Sequence, residues 1–387
     1  MTSLPRIQAF APDLERIRHD LHAHPEIGFE EHRTSDIVAD ALQRMGADEI
    51  HRSIGGTGVV ALIHGARPGS RRIGLRADMD ALPMDEETNL PYRSMTPGRF
   101  HGCGHDGHTT MLIGAARYLA ETRDFAGTAV CIFQPAEEGL GGARAMLADG
   151  LFERFPCHEI YGLHNAPQLA LGEISVFPGK AMAGASFFDI HIRARGAHGA
   201  QPHNSRDAVL IATMLAQNLQ SVVSRNVTPM EPAVLSITRI ESGSAYNVIP
   251  GEAKMSGTMR FFDEEVGALM DRRMRQIAAG TALGFEVEID VDIRPIFSVL
   301  ENTPAEAGHL AEVAAEIVGA EGVLGEPRPV TGSEDFADML KVVPGAYCWV
   351  GHGGDVPVHN PSFVLDDAIL PIGASVLARI VEKRLAA

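Results

Sequence analysis

The run Phe100–Thr110, F-H-G-C-G-H-D-G-H-T-T, sets one cysteine, three histidines and one aspartate among three glycines. Thiolate and imidazole together suit zinc and similar divalent ions. Glycine between ligand-type residues lets the backbone turn tightly, so side chains two residues apart, such as Cys103 and His105, can converge on one point. Further ligand types stand at Glu137 and Glu138 in F-Q-P-A-E-E-G, at His164 in Y-G-L-H-N, and at His359 in V-P-V-H-N-P. Cys103, His105, Glu138, His164 and His359 would supply ligands for two divalent ions about 3.5–4 Å apart, a spacing that lets a pair activate one water and polarise one carbonyl. A metal-bound cysteine is a thiolate, so metal affinity is expected to fall at acid pH.

The adjacent glutamates are the most informative detail. Just past a strand, neighbouring residues point in different directions, so one can ligate while the other faces substrate. A free carboxylate there can act as general base and return the proton to a leaving amine. That is amide hydrolysis. Asp80 and Asp106 are candidates for carboxylates that orient ligand imidazoles. Isolated histidines are commonly structural, and the chain has 17. The joint placement after predicted strands distinguishes these ligands, and His101 and His108 receive no role.

The elements that must position these groups follow from periodicity. Residues 12 to 46 read as two helices, the first stopped at His24-Pro25 and the second, from about Thr34, ending at Gly46. Strands are predicted over 57–65, 72–78, 127–139 and 159–165, with helices over about 109–122 and 142–149. Alternating strands and helices imply an α/β fold with a mostly parallel sheet. Sites in such sheets lie beyond the strands' carboxyl ends, where the candidate ligands fall.

The pattern changes near Pro178-Gly179. Residues 187–195, 205–224, 233–240, 253–262, 264–281 and 285–292 read as strand, helix, strand, strand, helix, strand, the ferredoxin-like β-α-β-β-α-β order. Strand and helix alternation returns over about 303–319 and 345–351, and a helix over 367–385 closes the chain. The expected organisation is a discontinuous catalytic domain, 1–183 and 295–387, interrupted by a small domain, 184–294.

Composition bounds the function classes. Hydrophobic residues at 45% and charged residues at 21% are ordinary globular values. A formal net charge of −17 argues against a nucleic-acid footprint, which would need a basic face. No apolar run approaches a membrane span, and no basic-then-apolar leader opens the chain. Four cysteines form no C-x-x-C pair or disulfide framework. Cys131 and Cys348 read as core residues, and a cytoplasmic setting is expected.

Taken together, G-C-G-H-D-G-H, F-Q-P-A-E-E-G, Y-G-L-H-N and V-H-N-P resemble the motifs of bacterial hippurate hydrolases and plant indole-acetyl-amino-acid amidohydrolases, within the superfamily of aminoacylases and carboxypeptidase-G-type metallopeptidases. The resemblance runs from H-D-L-H-A-H-P-E-I-G-F-E-E at 19–31 to the C-terminal helix. It implies a dinuclear site with Cys103, His105, Glu138, His164 and His359 as ligands and Glu137 as base. The metal would be zinc first, with manganese, cobalt or nickel also suited. The inserted domain would be a lid through which a homodimer or higher oligomer forms. His198, in G-A-H-G-A-Q-P-H, would polarise the scissile carbonyl from the partner subunit. Asn247 and Arg260 would hold the substrate carboxylate or the oxyanion, and Gly332 and Ser333, in T-G-S-E-D-F, would line the substrate pocket. The implied reaction is hydrolysis of an N-acyl or N-aroyl amino acid. A dipeptidase, an N-acetyl-diaminopimelate-type deacetylase and a non-catalytic metal-binding protein are the competing readings. Gly199 and Ala166 depart from the family pattern, the second where a bulky aromatic often sits.

Overall fold

The computed structural model describes residues 3–325 and 327–386, so the outermost residues of the expected catalytic domain lie outside them. The chain divides into two compact units. One comprises Met1–Ala181, Glu301–Pro329 and Asp335–Ala387, and the other Met182–Leu300 with Val330–Glu334. The short segment Val330–Glu334, which carries Gly332 and Ser333, thus groups with the inserted unit.

The larger unit is built on a seven-stranded sheet in the order Glu49–Ile54, Gly58–His64, Ala126–Gln134, Arg67–Asp78, Glu159–Ala166, Gly345–Gly351, Ile174–Val176. The four strands from Ala126–Gln134 to Gly345–Gly351 are mutually parallel, and the flanking pairs are antiparallel. This is the expected α/β class. The central strands are buried along almost their whole length, as V-C-I-F and L-R-A-D require for strands covered on both faces. Cys131 and Cys348 are wholly buried here.

Helices Ala11–Ala23, His105–Thr122 and Leu370–Arg384 pack together on this sheet. A Cβ on Gly114 would lie 3.0 Å from Ala374 and 3.1 Å from Leu14, so glycine sets how closely the three helices meet. Several boundaries differ from expectation: the strand expected over 72–78 begins at Arg67, and the one expected over 127–139 ends at Gln134, before the two glutamates. The helix after the cysteine-histidine run begins at His105, not near Thr109. Gly104 adopts φ 91, a left-handed turn that brings the chain straight into the helix. The second half of the run therefore forms the helix's first turn.

The smaller unit has strands Gly184–Arg193, Ala233–Glu241, Glu252–Phe261 and Glu288–Phe297, with helices Ala208–Leu219, Ser221–Asn226 and Glu264–Phe285. Taken in chain order, the first strand lies between the third and the fourth, and every pairing is antiparallel. This is the ferredoxin-like arrangement. Asp207 caps the first helix through the backbone N–H groups of Val209 and Leu210, and Asp263 caps the long one through Glu265. Among the described residues no helix is long and apolar enough to cross a membrane.

Candidate metal centre

The parallel strands end side by side and each delivers polar groups. Arg67–Asp78 leads to Asp80, Ala126–Gln134 to Glu137 and Glu138, and Glu159–Ala166 carries His164 and Asn165 near its carboxyl end. His105 opens helix His105–Thr122, and Cys103 lies just before it. His359 comes from the irregular segment after Gly345–Gly351. Its backbone N–H donates to the carbonyl of Gly102 at 2.8 Å, fastening it to the cysteine loop.

All five expected ligands converge. The Cys103 Sγ lies 3.3 Å from His164 Nε2, and His359 Nε2 lies 3.2 Å from Glu138 Oε1. The same Glu138 oxygen is 4.0 Å from His105 Nε2. Three groups, Cys103–His105–His164, Cys103–Glu138–His359 and His105–Glu137–Glu138, each hold their ligand atoms within 4.8 Å of one another. Because they share Cys103, His105 and Glu138, they form one continuous cage.

Hydrogen bonds settle which nitrogens face inward. His105 Nδ1 is 3.2 Å from Asp80 Oδ1, and His164 Nδ1 is 2.6 Å from the Asn165 carbonyl. Each acceptor draws the ring proton to Nδ1 and leaves the Nε2 lone pair free. His105 Nε2 is buried without a hydrogen-bond partner, 4.0 Å from the buried Glu138 Oε1. An unpaired buried lone pair facing a buried carboxylate oxygen is costly unless a cation lies between them. Soft thiolate, imidazole and carboxylate together fit a divalent transition metal.

Burial opposes a charge on His105, but Asp78 and Cys103 hold that imidazole well above its ordinary value. Burial and Glu138 push the Cys103 thiol up. Hydrogen bonds to Cys103 and Glu138 hold His359 up at about 10, while burial and the neighbouring His108 push His164 well down. A bound cation would favour the Cys103 thiolate and the neutral, ligating forms of His105 and His359.

Asp80 acts on two of the candidate ligands at once. Its Oδ1 orients the His105 ring, and its Oδ2 accepts from the Glu138 backbone N–H at 3.0 Å. Asp106 does not take the expected place beside a ligand imidazole. One residue further round the helix is about 100° away, and its Oδ2 accepts from Arg18 Nη1 at 3.1 Å and from His22 Nδ1 at 2.8 Å. It ties the ligand helix to helix Ala11–Ala23.

The turn bearing the two glutamates is strained and braced. Ala136 has φ 54, uncommon for a residue with a Cβ. Its N–H donates to buried Glu31 Oε1 at 2.8 Å, and Thr57 donates its hydroxyl to the other Glu31 oxygen. Burial holds the Glu31 carboxyl up at about 7. Glu137 is 6% exposed, with Oε1 3.4 Å from the Asp335 backbone N.

Beneath the cage runs a wholly buried polar network that motif reading missed. Arg76 donates to Asp78 Oδ2 at 2.6 Å, Gln134 Oε1 at 2.8 Å and Asp335 Oδ1 at 3.2 Å. Asp78 Oδ1 accepts from His108 Nδ1 at 2.7 Å, and His108 Nε2 accepts from the Asn165 backbone N–H at 2.9 Å. The available signal was Arg76 and Asp78 in the buried, otherwise apolar end of their strand, where charges have to be paired.

In the smaller unit, His198 is exposed in a two-stranded ribbon with Val248 opposite. Its Nδ1 accepts from the Ala200 N–H at 3.1 Å. The Gly199 N–H donates to the Asn247 carbonyl at 2.8 Å, setting His198 and Asn247 on neighbouring segments. Arg260 is half-buried in strand Glu252–Phe261 with Nη1 unpartnered, and burial pulls its guanidinium below the usual value. Gly332 is exposed, and the buried Ser333 hydroxyl is unpartnered.

A cage of thiolate, imidazole and carboxylate beyond the carboxyl ends of a parallel sheet, in a chain interrupted by a ferredoxin-like unit, defines a metallohydrolase. The chain belongs to peptidase family M20/M25/M40, whose model matches residues 74–383. It is a metal-dependent amidohydrolase of that family. It is 39% identical to hippurate hydrolase of Campylobacter jejuni over 385 residues, covering 100% of both chains. It is 38% identical to N-acetylcysteine deacetylase of Bacillus subtilis, covering 96% of this chain and 97% of that one. The crystal structure of Bacillus subtilis YxeP, described as a dinuclear metal binding peptidase from the M20 family, superimposes with a TM-score of 0.84 at 34% identity, covering 98% of this chain and 99% of that chain.

Proposed function

We propose that this protein hydrolyses the amide bond of N-acyl or N-aroyl amino acids of the hippurate type. The observation that carries the reading is the convergence of Cys103, His105, Glu138, His164 and His359, with the buried His105 Nε2 left unpaired, beside the separate carboxylate of Glu137. Those five residues would hold two divalent ions. The ions would supply Lewis-acid polarisation of the carbonyl and acidify the attacking water.

The chain's own groups do the rest. Glu137 takes a proton from the attacking water and passes it to the leaving amine, so the carboxylate is regenerated in each cycle. The Asp335 N–H donates to its Oε1 and helps to hold the carboxylate in place. On His198 the Ala200 N–H occupies Nδ1, so a neutral ring carries its proton on Nε2. That makes His198, contributed by a partner subunit in a homodimer, a donor to the developing oxyanion. Arg260, with an unpaired Nη1, suits the substrate's free carboxylate. Asn247, Gly332 and Ser333 complete the substrate contacts.

A deacetylase reading is supported by the N-acetylcysteine deacetylase relative, almost as similar as the hippurate hydrolase. A hydrolysis screen over benzoyl-, acetyl- and indole-acetyl-amino acids and simple dipeptides, with zinc, manganese, cobalt or nickel restored in turn, separates these. Benzoyl-glycine should be cleaved with the highest kcat/KM. Preference for acetyl substrates would move the assignment to the deacetylases, and cleavage of dipeptides alone would overturn both.

A further inference from the structure

Asn165 follows His164 at the end of its strand and is 2% exposed. Its side chain is used at both ends. Nδ2 donates to the Cys103 carbonyl at 2.6 Å and lies 3.1 Å from His108 Nε2, while Oδ1 accepts from His352 Nε2 at 3.1 Å. The orientation of the amide is dictated by its surroundings. Asp78 holds the His108 proton on Nδ1, so His108 Nε2 can only accept, as can the Cys103 carbonyl. Both therefore require the amide nitrogen.

The cysteine loop is shaped around this group. A Cβ on Gly104 would stand 2.3 Å from Asn165 Nδ2, and Gly104 itself has φ 91. Only glycine satisfies both the turn and the close approach. The carboxamide thus grips the loop at the carbonyl of Cys103, the residue that carries the thiol.

We infer that Asn165 is a positioning residue for the metal centre. Through the Cys103 carbonyl and the His108 ring it sets where the Cys103 thiolate stands, and so fixes affinity for a thiophilic divalent ion. This rests on the proposed ligand role of Cys103. Aspartate in place of Asn165 has nearly the same shape but no donor, and sets its oxygen against two acceptors.

The test uses the full chain loaded with cobalt(II). Thiolate ligation gives a sulfur-to-cobalt charge-transfer absorption, and chelator competition gives the cobalt Kd. Thermal unfolding of the metal-free protein reads the fold alone. Asn165→Asp and Gly104→Ala should each weaken cobalt binding by about 10-fold or more and diminish the charge-transfer band. Cys131→Ser, in the same sheet and away from the network, should lower the unfolding temperature without changing the band. A wild-type band and Kd in both Asn165→Asp and Gly104→Ala overturn the inference. So does failure of both to fold without metal, because the amide would then hold the fold and not the ligand. Cys103→Ser checks the parent reading separately: an unchanged band in that variant removes Cys103 from the ligand set.

Discussion

Arg76→Met tests the buried network beneath the cage. Methionine keeps the length and apolar bulk of the stem but removes the cation, leaving the carboxylates of Asp78 and Asp335, both wholly buried. Removing one partner of a buried ion pair typically costs about 3–5 kcal/mol. Asp78 retains His108, and Asp335 retains Gln134 and the Ala143 N–H at 2.9 Å, so the loss should fall near the middle, about 4 kcal/mol at pH 7. That is a large part of a domain's ordinary stability of about 5–15 kcal/mol. Burial opposes ionisation of Asp78, but His105, Arg76 and His108 hold its carboxyl well below the usual range. A carboxyl depressed in this way stabilises the fold above its unfolded value near 4 and loses that contribution as pH falls. Without Arg76 the carboxylates protonate more readily, so the gap between wild type and variant should narrow toward acid pH. The assay is urea unfolding followed by the emission of Trp349, the chain's one tryptophan, which is 8% exposed on strand Gly345–Gly351. Arg76→Met with Asp335→Asn should recover at least about 1 kcal/mol, because one stranded charge is gone. A loss below about 1 kcal/mol in the single variant, or no recovery in the double, would refute the claim that charge pairing holds this network.

His22 is buried, which disfavours its charged form, yet Asp106 and Glu86 outweigh the burial and hold it up at about 9. Its raised value stabilises the fold below the unfolded value near 6.5 and is lost as pH rises through about 9, so His22→Gln should cost about 3 kcal/mol at pH 6 and far less at pH 9.5. Denaturant unfolding at both pH values checks this, and an equal cost at both contradicts it. Arg260→Ala should lower kcat/KM by about 10- to 100-fold for acyl amino acids with a free carboxylate. The corresponding acyl amino-acid amides should be hydrolysed equally by both proteins, and a parallel loss on the amides would remove the carboxylate role.

The convergence of the candidate ligands was legible because the chemistry is written locally. Cys103 and His105 stand two apart in a glycine-rich run, Glu137 and Glu138 are adjacent just past an apolar strand, and His164 lies near the end of another. The ferredoxin-like order was legible because alternation and helical periodicity switch at clear turns. What escaped depends on long-range pairing. Arg76 meets Asp335 across 259 positions, and Asn165 meets His352 across 187. Nothing at either end of such a pair points to the other. His108 was passed over because one histidine in a crowded run carries no mark of whether it faces the cage or its supports. Asp106 was misread because adjacency to His105 suggests a shared task, whereas the helix, beginning earlier than its apolar pattern implies, turns the two apart. Strand Glu49–Ile54 was overlooked because its polar composition hides an edge strand paired on one side.

The central claim is that Glu138 holds metal while its neighbour Glu137 moves the proton, and metal content measured beside turnover in the two variants tests it most directly. Glu137→Gln should retain two metal ions per chain, as in a dinuclear site, and lose hydrolysis of benzoyl-glycine by at least about 100-fold. Glu138→Ala should lose metal itself, and turnover with it. Near-normal turnover in Glu137→Gln, or full metal content in Glu138→Ala, would contradict the division of labour between the two glutamates.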